Sequence, residues 1–258
     1  MKMWLRYVGI ILRSQMQYRL SSILLFVAQF LSTLTVFLGS WLLFRRFGTI
    51  AGWTFHEVAL FFSVMLISFA MAEMTLRGFD TFSSLIRNGT FDRLMLRPRP
   101  LELQVLGSEF DWTRMGKLLQ GVVALVIALR GLDIPWTFGR VVTLVLTFAG
   151  GVSIFGGIMI LNSTLCFWTI QGLEFANVLT DGGRQMAQYP MTIYRDWFRQ
   201  IFTYIVPFAL INHIPLRYVL ARGGSPLAIF APLGAILFVV PCLLVWRQGA
   251  RHYKSAGS

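Results

Sequence analysis

Charge is scarce in this chain. Charged residues make up 13% of its 258 positions, against about 25% in an ordinary soluble domain. Apolar residues fill the deficit, at 56% of the chain with 23 Phe, and the mean hydropathy is +0.65. That composition excludes a soluble enzyme and describes a membrane protein. Cysteine is scarcer still: Cys166 and Cys242 both lie inside apolar segments, so a disulfide framework is excluded and the two read as small buried hydrophobes. The sequence has no phosphate-binding loop, no dinucleotide fingerprint and no pair of His or Cys at metal-ligand spacing; His56, His213 and His252 stand alone. No cleavable signal peptide is evident, because the first apolar patch, Val8 to Leu12, stops at Arg13. The sequons at Asn88 and Asn162 fall on the expected cytoplasmic side or within a span and read as coincidences.

What is present is a series of apolar runs flanked by arginine. The formal net charge is +12, yet the basic residues sit at the ends of those runs, where they orient a chain in an anionic membrane and imply no nucleic-acid partner. The length allows about six spanning helices and no separate globular domain, so the expected fold class is all-α, a single polytopic unit over 1–258. Residues 1–20 read as an amphipathic helix on the membrane surface, with Lys2, Arg6, Arg13 and Gln17 opposite Trp4, Leu5, Val8, Ile11 and Leu12. The first span is Ser22 to Phe44, closed by Arg45 and Arg46. The second, Val58 to Leu76, is interrupted only by Glu73, which is expected to pair with Arg77 one turn on.

Residues 77–117 form the one long polar stretch, with seven basic and five acidic residues. The third apolar run, Leu118 to Leu129, is 12 residues long and spans only if its helix starts earlier, with Arg114 and Lys117 snorkelling back to the surface. Val141 to Ile170 is uncharged throughout and carries Ala149, Ser153 and Gly157 as an expected small-residue contact face. The last run, Pro226 to Trp246, precedes Arg247, Arg251 and Lys254.

Gln171 to Arg199 mixes charged and apolar residues and leaves two topologies open. Either it stays cytoplasmic and Ile201 to Ile214 is the fifth span, or Gly172 to Tyr189 crosses and Met191 to Arg222 form an outer re-entrant hairpin. Basic residues divide 17 inside to 6 outside in the first case and 14 to 8 in the second. Both place the two termini in the cytoplasm.

Within the long loop, Gly89 can end the helix descending from the second span. Thr90 can cap a new short one with Asp92 in its first turn and Leu94, Met95 and Leu96 as an apolar edge, until Arg97-Pro98 forbids continuation. A second short helix can start at Pro100. A capped, exposed helix tied to two spans suits docking to a soluble partner.

The segment Gly89-Thr90-Phe91-Asp92-Arg93-Leu94-Met95-Leu96-Arg97-Pro98, followed by Tyr189-Pro190-Met191-Thr192-Ile193-Tyr194, Trp197 and Tyr204-Ile205-Val206-Pro207, resembles the ABC-2 type permease family over nearly the whole chain. More narrowly it resembles the bacterial six-span permeases that work with a separate ATPase. The resemblance implies a surface helix over Met1 to Leu20, six spans and a coupling helix over Thr90 to Leu96. It also implies a fifth span ending at Tyr189-Pro190 and a re-entrant hairpin within 191–224. It assigns ATPase coupling to Thr90, Asp92, Arg93, Leu94, Leu96 and Arg97, and leaves ATP and Mg to the partner, with no cofactor on this chain.

The reading that follows is a permease subunit in the cytoplasmic membrane, working with ABC ATPase subunits and a second copy or homologous permease. It exports an amphiphilic or hydrophobic substrate. Gln29, Ser32, Thr35, Asn177 and Asp181 are the expected path residues, with Asp181 and Arg184 expected to pair. Two rivals stand beside it. One is a membrane-embedded enzyme using Glu73 or Asp181 with His213, and the other is a proton-driven secondary transporter using Glu73.

Overall fold

The computed structural model of the chain describes residues 2–168, 182–195, 200, 202–203 and 207–253. Among these there is no strand, only an isolated bridge between Ile50 and Trp53. The chain starts with α1 (Lys2–Gln15), which passes through one 3-10 turn into α2 (Arg19–Phe47). α2 stops where Gly48 turns to φ +73 and its N–H bonds the Phe44 carbonyl, a backbone conformation that glycine adopts without a Cβ penalty. α3 (Phe55–Thr75) is started by a capping box in which the Glu57 carboxylate accepts from the Thr54 N–H at 2.8 Å. Four short helices follow: α4 (Arg77–Asp80), α5 (Phe82–Arg87), α6 (Thr90–Met95) and α7 (Leu101–Leu106).

α8 (Met115–Arg130) and α9 (Phe138–Leu165) are the next long helices. The helix of the third run does start early: a turn at Trp112–Arg114, held by the Asp111 carboxylate accepting from the Thr113 N–H, extends its apolar helix to 19 residues. After α9 come α10 (residues 182–187), α11 (His213–Val219), α12 (Phe230–Leu237) and α13 (Val239–His252). Five described helical stretches are long and apolar enough to cross a membrane: Arg6–Phe47, Phe55–Thr75, Trp112–Arg130, Phe138–Leu165 and Pro226–His252. Residues 172–181 of the expected fifth span, and with them Asn177 and Asp181, lie outside the described residues.

α3 is the centre of the bundle, packed against α2, α8 and α9. Small residues on its neighbours make that approach close. A Cβ on Gly121 of α8 would lie 2.7 Å from Ile67, and one on Gly156 of α9 would lie 2.8 Å from Leu76. Gly151 backs directly onto Ser68. The contact face of α9 matches the expected one only in part: Gly157 is buried, Ser153 half-buried and Ala149 exposed, while Gly150, Gly151 and Gly156 are buried as well.

The segment around α11 folds back beside α9, with Phe208, Ile211 and Leu216 fully buried. Asn212, also fully buried, donates from Nδ2 to the Tyr189 carbonyl at 3.2 Å and to that of Ala187. The Tyr189-to-Thr192 stretch is held in turn by α2 and the loop after it. The Tyr189 and Ser40 hydroxyls are 2.8 Å apart, and Trp53 Nε1 donates to Thr192 Oγ1 at 3.0 Å.

Candidate functional site

The candidate coupling surface is built at the end of the bundle where α4 to α7 gather. α5 ends at Arg87, Gly89 sits in the left-handed region at φ +63, and α6 starts immediately after it. Gly89 thus lets the chain reverse between two helices, as the sequence led one to expect, and it takes the cap position expected of Thr90. The Thr90 hydroxyl instead accepts from the Arg93 guanidinium at 3.3 Å.

α6 has one buried and one exposed side, and they are not the sides the sequence indicated. Phe91 is fully buried and Leu94 is 7% exposed, whereas Met95 is 43% and Leu96 85% exposed. Leu94 is therefore packed into the fold, and the exposed apolar edge is Met95 and Leu96. The physical reason is the aromatic box into which α6 is sunk. The Phe91 ring lies 5.0 Å from that of Phe82, 5.1 Å from Tyr253, 5.7 Å from Phe167 and 6.5 Å from Trp246, mostly edge to face. Those partners stand on α5, after α13, after α9 and on α13, so packed rings tie α6 to the ends of two spanning helices. Gln104 of α7, buried, clamps the turn between the short helices by donating to the Leu94 and Arg99 carbonyls at 3.1 and 3.0 Å.

Around this edge the charge is mostly positive. Arg87, Arg93, Arg97 and Arg99 are exposed, as are Arg247 and Arg251 on the last turns of α13; Asp92 is half-buried. Glu102 is bonded to Arg247. A groove of about 410 Å³ runs between α6, α7 and α13, lined by Met95, Leu101, Glu102, Trp246, Arg247 and Arg251. Sequence reasoning missed the α13 side of this surface. The only hint was the basic cluster after Trp246.

Beside the short helices lies a network of ion pairs. Glu73, near the end of α3, bonds Lys117 at 2.7 Å and lies 3.4 Å from Arg114, and Arg114 also bonds Asp111 at 2.9 Å. Arg77 pairs instead with Asp80, and more distantly with Glu109 at 4.0 Å. Two expectations are corrected here: Glu73 does not pair with Arg77, and Arg114 and Lys117 do not snorkel away but turn inward. The packing of α8 on α3 brings them to Glu73, and a buried carboxylate needs cations more than the surface does. Burial pushes the Asp80 carboxyl above its ordinary value, against the pull of Arg77.

Of the expected path residues, Gln29 lines a cavity of about 550 Å³ between α2, the end of α1 and the loop before α8, together with Gln15, Ser22, Arg77, Glu109 and Arg114. Gln15 closes one side by donating to the Phe110 carbonyl at 2.8 Å. Ser32 and Thr35 lie on the exposed side of α2, and the Thr35 hydroxyl is bonded to the Leu31 carbonyl at 2.9 Å. The structure therefore brings Gln29 to a polar cavity and leaves Ser32 and Thr35 outside it. Arg184 of α10 stacks over the Phe69 ring at 4.8 Å, and Lys117 lies 5.3 Å from the centre of the same ring.

The sequence model of the family described as ABC-2 family transporter protein matches residues 30–257. The chain belongs to that family. No curated protein and no solved structure matches it. As an ABC-2 family member it is a multi-pass membrane protein of the transport type, and the later part of α2, the other spans, the short-helix end and the α11 fold-back are all within the matched residues. Only α1 and the first part of α2 precede them.

Proposed function

We propose that this ABC-2 family chain is the permease subunit of an ATP-binding-cassette exporter in the cytoplasmic membrane. It lies with both termini in the cytoplasm, moves an amphiphilic or hydrophobic substrate outward and pairs with a second permease copy or a homologue. ATP and Mg are bound by separate ATPase subunits, which dock on α6. The observation that carries this reading is the division of α6 into a buried and an exposed half. Phe91 is locked to α13 and to the end of α9 and Leu94 is buried, while Met95 and Leu96 face outward among exposed arginines. A rigid apolar knob with a basic rim suits a groove on an acidic-rimmed partner, and its anchoring gives the stroke of that partner a route into the membrane.

The Gln29 cavity supports a cytoplasmic path toward the expected second-copy interface, because it combines apolar walls with polar and charged groups as an amphiphile requires. Gln29, Ser32, Thr35, Asn177 and Asp181 remain the proposed path residues.

The test is Leu96→Asp, set against Leu94→Asp. Leu96→Asp should leave membrane levels of the protein unchanged while the ATPase subunit fails to co-purify and ATP-driven transport into inverted vesicles is lost. Burial of Leu96 on docking contributes about 1.5 to 3 kcal/mol gross. Leu94→Asp should lower the amount of folded protein itself. Retention of both partner and transport by Leu96→Asp would place the coupling contact elsewhere.

A further inference from the structure

At the opposite end of the bundle from the short helices, α2 and α8 part. They touch near their starts, where Gly116 of α8 backs onto the Phe26 backbone of α2. Eleven residues further along each helix, at Phe37 and Ile127, they are separated by a groove of about 500 Å³. Phe37, Leu38 and Trp41 line it from α2, Phe55 from α3 and Ile127 from α8. Its mouth carries Arg45 and His56. Arg45 stacks over Trp41 at 5.3 Å and, among the described residues, makes no ion pair. His56 stands in the first turn of α3, whose N-terminus is the positive end of a 21-residue helix. The acid beside it, Glu57, is already held by Arg222 and by the Thr54 cap.

We infer that this groove holds one anionic phospholipid, with an acyl chain between α2 and α8 and its phosphate against Arg45 and His56. The dimensions agree: from Arg45 down to Phe37 is about 12 Å along α2, close to the roughly 15 Å depth of one leaflet. An apolar groove facing hydrocarbon gains dispersion contacts only when a chain fills it. The charge selects the headgroup. The mouth offers Arg45 and His56, while Glu57 is engaged by Arg222 and the Thr54 cap, so a phosphate finds partners there and a choline or ethanolamine amine does not. A helix from a second copy fits the groove poorly, because its walls are bulky rings. The small exposed residues of α2 that would admit such a helix, Ala28, Ser32, Thr35 and Gly39, point about half a turn away. Trp41 and the arginines also place this end at a membrane interface, where such side chains gather.

The experiment uses the full-length chain purified in detergent and freed of lipid, with phosphatidylglycerol or phosphatidylcholine of identical acyl chains added back and retained lipid read by native mass spectrometry. One phosphatidylglycerol per chain should be kept in preference to phosphatidylcholine. Arg45→Gln should weaken its retention about tenfold or more, the loss of one charge-assisted contact, while Arg46→Gln, which lies outside the groove, should not. Leu38→Trp, which fills the groove, should lower retention of both lipids. Equal retention of the two lipids by the unmodified chain, or the same retention by Arg45→Gln, would overturn the assignment. So would disulfide cross-linking of Leu38→Cys between two copies, which would show that protein covers the groove. None of these readouts depends on transport or on an ATPase.

Discussion

α2 and α3 are alike in apolarity and opposite in surroundings. Over their most apolar stretches their mean hydropathies are 2.0 and 1.9, yet 17% of the first and 83% of the second is buried within the chain. Hydropathy measures compatibility with hydrocarbon; it carries no information on whether lipid, a neighbouring helix or another subunit supplies the contacts. The difference lies in the neighbours. α3 is met by Gly121 from α8 and by Gly151 and Gly156 from α9, so that its Ile67 and Ser68, and Leu76 just after it, lie nearly against other backbones. α2 has Gly116 beside Phe26, and through most of its length it shows leucine, valine and small residues outward. A central helix and a peripheral one can thus share a composition, and the glycines on the surrounding helices decide which is which.

The largest effect that separates them belongs to the charge near the end of α3. Glu73, Lys117 and Arg114 all have side chains less than 15% exposed, so Glu73→Leu strands Lys117 without its carboxylate and should destabilise the protein by about 3 to 5 kcal/mol. Unfolding in mixed detergent micelles measures this. The double change Glu73→Leu with Lys117→Leu should recover at least about 1 kcal/mol, because the two residues share one interaction. A Glu73→Leu variant as stable as the parent would mean that water reaches this network, and α3 would lose its standing as the dry centre of the bundle.

A smaller effect compares one glycine from each environment. A Cβ at Gly151 collides with Ser68 of α3, whereas at Gly39 of α2 nothing lies within 4 Å. Gly151→Ala should cost about 1 to 3 kcal/mol through overpacking, and Gly39→Ala should fall within about 0.5 kcal/mol of the parent in the isolated chain. Equal costs would show that α2 is packed as closely as α3, against a subunit that stays bound during the measurement.

These contrasts also mark how far the sequence could be read. The five apolar helical stretches, the early start of α8 and the short α6 were legible, because each is signalled locally by a charge-free run, a cap or a proline. The register of contacts was not. Glu73 has an obvious local partner in Arg77, but its actual partner is Lys117, 44 residues away, and nothing in a single sequence marks which cation a folded bundle will deliver. α6 has six residues, too few turns for an apolar pattern to fix which side faces inward, so Leu94 and Leu96 looked equivalent. The partners of Phe91 come from three separate segments, α5, the end of α9 and α13 with the residue after it, and are visible only once those segments meet. On α9 the expected small-residue face held at Gly157 and not at Ala149, and Gly150, Gly151 and Gly156, which no four-residue spacing links, make close approaches of their own.

The smallest expected effect on stability tests the empty side of α2 most directly. Ala28, Ser32, Thr35 and Gly39 fall on one exposed stripe, within about 60° of one another at 100° per residue. Small side chains on a lipid-facing helix gain little from lipid but let a second helix approach closely. If the second permease copy packs there, Ser32→Cys in a chain whose Cys166 and Cys242 are replaced by alanine should form a linked dimer under mild oxidation. A disulfide needs the two Cβ atoms about 4 Å apart, so cross-linking at this position reports helix against helix and excludes a loose encounter. The substitution removes no contact within the protomer and should change its stability by less than about 0.5 kcal/mol. Leu38→Cys, on the groove side of the same helix, should stay monomeric under the same oxidation. A reversed pattern would move the subunit contact onto the groove between α2 and α8, leaving the Ser32 stripe to lipid.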